Sequence, residues 1–129
     1  MSQSDLSHYT MPLFLAAEDT AIRLSIKFHL GEGYDINPEV DSSLSASYVT
    51  STHITKTLNF SSDTLSFEIP TPYGPETDVL TLAIRLFHCK KKPPGLCFFK
   101  DFTVHQPIEL SSAKGSSALD IAIDISLES

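Results

Sequence analysis

The chain has no tryptophan, two cysteines and five glycines in 129 residues. Its longest uninterrupted apolar run is Leu13, Phe14, Leu15, Ala16 and Ala17. A membrane-spanning helix needs about 20 such residues, so no run in this sequence reads as one. The glycines form neither a phosphate-cradling G-x-x-x-x-G-K loop nor a G-x-S-x-G nucleophile turn. Cys89 and Cys97 stand eight positions apart, which matches neither a C-x-x-C redox pair nor a zinc spacing. Bases are scarce: nine against sixteen acids give a formal charge of -7 and a pI near 5.0. A general nucleic-acid binder needs a broad cationic footprint, and this balance excludes one. Also missing is any long window with an apolar stripe at the helical period of 3.6. The length predicts a single domain, and 41% hydrophobic residues exclude a disordered chain.

What is present is alternation. Ile22, Leu24, Ile26, Phe28 and Leu30 interleave with Arg23, Ser25, Lys27 and His29. Leu119, Ile121, Ile123, Ile125 and Leu127 interleave with Asp120, Ala122, Asp124, Ser126 and Glu128. Because successive side chains of a strand point to opposite faces, this period of two predicts half-buried strands. Leu80, Leu82, Ile84 and Leu86 repeat the pattern, as do Leu65, Phe67 and Ile69. Weaker runs occupy 44–50, 53–60 and 97–104, and an additional strand is expected near 11–16. Turn chemistry separates them: Gly31 to Gly33, Asn37-Pro38, Ser61 to Asp63, the proline-rich 70–75, Pro93-Pro94-Gly95 and Lys114 to Ser117. Seven or eight short strands with turns between them predict an all-β sandwich or barrel over 11–129. Residues 1–10, polar and Ser-rich, read as a flexible tail.

The order of these segments resembles the C2 domain. Residues 21–30 look like that family's opening alternating strand. The stretch from Asp41 to Val49 looks like its D-x-x-x-S-D-P-Y-V segment; Thr57-Leu58-Asn59 followed by Leu65-Ser66-Phe67 is similar to its T-L-N-P turn and F-x-F strand. Residues 82–87 are similar to the strand leading into its third loop. The resemblance spans about 20–128 and implies an antiparallel, eight-stranded β-sandwich; an immunoglobulin-like sandwich with a different strand order is the alternative. Calcium-binding members gather loop carboxylates, because a hard cation takes six to eight oxygen ligands. Here Asp41 occupies the first such position, but Ala46 stands at the second, and His88 and Lys90 stand where third-loop aspartates belong. Lysines repel a cation, so the resemblance implies a calcium-independent member, with Asp35, Glu39 and Asp41 as solvated surface. No metal and no cofactor is expected.

Two surfaces are candidates for binding. Lys90, Lys91 and Lys92, followed by Pro93, Pro94, Gly95 and Leu96, form a basic loop on an acidic protein; a row of lysines with an apolar residue beside it suits an anionic phospholipid or phosphoinositide membrane. Asp120 and Asp124 lie on the wet face of the last strand, an acidic face for a protein partner. The protein partner is the leading expectation, with the chain acting as an interaction or scaffold module, a domain of a larger protein among the options, and the membrane the alternative. The five histidines fall singly along the chain, with no histidine or cysteine at i, i+2 or i, i+4. His88 and Cys89 are neighbours, but adjacent strand residues face opposite sides, so no catalytic pair and no enzyme are expected. The start of the chain lacks a basic n-region leading into an apolar stretch, so the expected setting is cytoplasmic and reducing, with two free thiols; a disulfide is the alternative if the segment between the cysteines is a hairpin.

Overall fold

The computed structural model describes residues 7–18, 21–51, 55–72, 76–91, 95–112 and 114–125. Ten strands follow in chain order and no helix occurs among the described residues. They are β1 (Ser7–Thr10), β2 (Phe14–Ala16), β3 (Ala21–His29), β4 (Tyr34–Ile36), β5 (Ser42–Tyr48), β6 (Thr55–Phe60), β7 (Thr64–Pro70), β8 (Thr77–Lys90), β9 (Cys97–Leu110) and β10 (Ala118–Asp124). One sheet runs β1-β9-β8-β5-β6, with β2 also on β9 and β4 also on β8; the other runs β10-β3-β7. Their inward faces share one core, so the fold is β-sandwich-like rather than a closed barrel.

The alternating segments bury the side chains their pattern predicts. Ile22, Leu24, Ile26 and Phe28 of β3 meet Leu80, Leu82, Ile84 and Leu86 of β8 in the core, with Leu119, Ile121 and Ile123 of β10 and Phe67 and Ile69 of β7. Phe28 stacks on Phe60 at 5.3 Å between ring centres and meets Phe102 edge-on at 6.2 Å, so one aromatic joins both sheets. Tyr48, 1% exposed, sends its hydroxyl across to the Pro70 carbonyl at 2.8 Å, which satisfies its only polar atom. Burial, and then Asp78, push the Tyr48 phenol well above its ordinary pKa.

Three expectations are corrected here. Among the described residues ten strands occur where eight are expected, and the pairings of β1 and β2 with β9 and of β10 with β3 are parallel, so the sheets are mixed rather than antiparallel. Within the stretch read as a tail, Ser7–Thr10 is β1, held in register against Phe102 to His105. Its periodicity is invisible because four residues with a single apolar ring, Tyr9 against Phe102, are too few to show alternation. The gap between β1 and β2 lies opposite Pro107, which has no N–H to donate to a ladder. There the Gln106 side-chain amide donates instead to the carbonyls of Pro12 and Pro107, each at 2.8 Å. Third, Cys89 and Cys97 are joined in a disulfide and are not free thiols. β8 and β9 form one long hairpin whose register sets the two cysteines directly opposite each other, and spacing alone does not show where a hairpin closes. His53, Lys92 and residues 73–75 and 126–129 lie outside the described residues.

Candidate functional site

The first surface is the end of the β8–β9 hairpin. Both strands run past the end of β5, and the overhang is held by the segment between β3 and β5. Gly31 and Gly33, both with positive φ, turn that segment back, and β4 adds to β8 with Ile36 opposite His88 and Tyr34 opposite Lys90. The Gly33 carbonyl accepts the Lys91 N–H at 2.8 Å, and the Lys91 ammonium stands 3.7 Å from Asp35. Where β8 changes partner from β5 to β4, the buried Ser42 hydroxyl accepts the Phe87 N–H at 2.9 Å, and the Phe87 carbonyl accepts from Asn37 at 2.9 Å. Both backbone groups of Phe87 are therefore paired at the switch.

Around this end Lys90 is half-buried and Lys91 exposed, while Leu96, Phe98 and Phe99 are 52%, 47% and 54% exposed. Lys100 follows on β9. On the outer face Arg85 forms a bidentate pair with Asp101 at 2.7 and 2.9 Å, and its guanidinium lies 4.4 Å above the Phe99 ring. The Arg85 guanidinium holds the Asp101 carboxyl below the usual carboxylate range. On the inner face His88 is 5% exposed, near Tyr34 and Phe98, with no hydrogen-bond partner at Nδ1. Burial lowers its pKa, and Lys100 adds to the effect against an opposing contact with the Leu86 backbone. The His88 ring and the Cys89 disulfide face opposite sides of β8. Lysines and exposed aromatics thus share one projecting tip, with Phe98 and Phe99 as members that the sequence reading assigned to the next strand.

The second surface is β10. It pairs only with β3, so among the described residues its far side meets no strand. Asp120, Ala122 and Asp124 are exposed on it, and neither aspartate is in an ion pair among the described residues. A groove of about 360 Å3 runs beside this edge, lined by Met11, Pro12, Leu13, Phe14 and Gln106 on one wall and by Leu119 to Ala122 on the other. The two candidate surfaces are separate: the basic tip ends the larger sheet, and the acidic edge bounds the smaller one.

The positions matched to calcium ligands are scattered by role. Ala46 is fully buried mid-strand opposite Leu82, His88 is inside the hairpin, and Asp41 is exposed before β5. Asp35 faces Lys91, and the Glu39 N–H is bonded to the Asn37 side chain at 2.9 Å. Among the described residues no three His, Cys, Asp or Glu side chains converge, and no helix is long and apolar enough to cross a membrane. No protein-family model matches the chain, and comparison with curated proteins gives no match.

Proposed function

We propose that the chain is a non-catalytic, calcium-independent C2-like docking module that holds a protein partner along the free edge of β10. The observation that carries this reading is an unpaired strand edge bearing two unneutralised carboxylates, Asp120 and Asp124, beside a groove. An unpaired strand offers a row of backbone donors and acceptors to an added strand, and the carboxylates select a basic segment. The segments that carry the resemblance lie on β3, β5, β6, β7 and β8, but Thr57 to Asn59, likened to a turn, lies inside β6. The parallel pairings depart from what that resemblance implies, and the immunoglobulin-like alternative carries the same docking function. A cytoplasmic setting belongs to the proposal, and there the glutathione pool would reduce the Cys89–Cys97 bond.

A second reading is favoured by the tip. Leu96, Phe98 and Phe99 are exposed together beside Lys90, Lys91 and Lys100, a combination suited to an anionic phospholipid surface, where each lysine contributes about 1 kcal/mol. One pair of measurements separates the readings. Capture from a lysate with the wild type and with an Asp120→Lys, Asp124→Lys variant tests the edge, which requires a salt-sensitive partner lost on substitution. Cosedimentation with phosphatidylserine vesicles tests the tip. Vesicle binding that disappears in a Lys90→Ala, Lys91→Ala, Lys92→Ala variant, with no partner lost at β10, overturns the protein-partner reading.

A further inference from the structure

We infer that His8 and His105 form a two-histidine site for a divalent transition-metal ion, which clips β1 to the edge of the larger sheet. The two residues are 97 positions apart, and only the parallel pairing of β1 with β9 brings them together. His8 Nδ1 and His105 Nε2 stand 3.0 Å apart, and the rings are nearly parallel, with 12° between planes. His8 is exposed and His105 half-buried, so an ion has access. Among the described residues neither ring has another hydrogen-bond partner or an ion pair. Across the strands their neighbours are Thr103 and Thr81, which are uncharged.

The 3.0 Å separation is that of a hydrogen bond between the rings, and turning the rings would aim both nitrogens at one ion instead. Two nitrogens bound cis to one ion at about 2.05 Å lie about 2.9 Å apart in square or octahedral geometry and about 3.3 Å apart in tetrahedral geometry. The observed 3.0 Å falls within this span, which suits Ni2+, Cu2+ or Zn2+. Imidazole suits all three, whereas Mg2+ and Ca2+ take oxygen ligands. In the free protein one nitrogen donates its proton to the other. On binding, both facing nitrogens become ligands and the proton between them moves to the donor ring's remaining nitrogen. Water fills the other coordination positions. Bound metal would add to the backbone ladder and the Tyr9–Phe102 ring contact that hold this four-residue strand.

The test is thermal unfolding of the untagged chain in 1 mM Ni2+ against EDTA, for the wild type, His8→Gln and His105→Gln, with 1 mM Mg2+ as the control ion. A site half-filled at about 0.1 mM raises the wild-type melting temperature by about 5 °C. That rise is expected to vanish in both variants and to be absent with Mg2+. Should His105→Gln fail to fold, the exposed His8→Gln decides. Independently, substoichiometric Ni2+ should broaden NMR signals around His8 and His105 first. No wild-type rise, a rise unchanged in His8→Gln, or broadening centred on another histidine overturns the inference.

Discussion

Asp78 offers the sharpest test of how the sandwich is closed at the start of β8. Its carboxylate is 6% exposed and accepts the backbone N–H groups of Thr50, Ser51 and Val79 at 2.9, 2.9 and 2.8 Å. The end of β5 is thereby folded onto β8, reinforced by the Val49 N–H on the Val79 carbonyl at 2.9 Å. Burial alone would raise the Asp78 pKa, but the combined backbone bonds and the Ser51 side chain outweigh it, and the carboxyl titrates below its ordinary value. In Asp78→Ala these donors lose a charged acceptor. Thr50 is exposed and its N–H reaches water, whereas Ser51 is buried and Val79 half-buried. With about 1–3 kcal/mol for each buried donor left without an acceptor, the expected loss is about 3 kcal/mol. Asp78→Asn keeps one acceptor oxygen but turns an amide toward N–H donors, so it should lose about half as much. The sign of the pH dependence follows from the lowered pKa: the unfolded chain binds the extra proton, so the contribution is complete above about pH 4 and fades as pH falls through the folded value. Urea unfolding followed by circular dichroism measures this, since the chain has no tryptophan to report. A loss below about 1 kcal/mol in Asp78→Ala, or an unchanged acid limb in Asp78→Asn, refutes the reasoning.

Cys89→Ala, Cys97→Ala should lower stability by about 2.5 kcal/mol, the chain-entropy value for a nine-residue loop, and the melting temperature by about 9 °C. Dithiothreitol should reproduce this in the wild type, and a shift under 2 °C by calorimetry would show that the hairpin tip opens independently of the sandwich. Gly115→Ala should cost about 3 kcal/mol, because a Cβ there would fall on the backbone of Ala16, Ala17 and Ser111, which cannot swing aside as a side-chain tip does. Gly33→Ala, with positive φ but open space around it, should cost only about 1 kcal/mol in the same urea titration; equal losses would contradict the contact argument.

The strands with one wet face were legible because the cause of their pattern is local. β3, β7, β8 and β10 each bury every second residue, and the alternation that predicts this is written in consecutive positions. The lysine loop and the acid row of β10 were legible for the same reason. β4, three residues long, was not, because it exists only by adding to the overhang of β8. Nor were Phe98 and Phe99 as surface residues. Aromatic residues after a turn read as the start of a buried strand, and only the length of the hairpin beyond β5 leaves them uncovered.

Composition and periodicity by themselves determined the all-β class, the inward faces of the main strands and the two charged surfaces, since each depends on residues within one or two turns of chain. Tertiary structure alone decided the parallel pairings, the joining of Cys89 to Cys97, the Asp78 cap and the meeting of His8 with His105. Those contacts depend on which strands lie side by side and in what register. Register is set by packing of the whole core, and no local spacing encodes it.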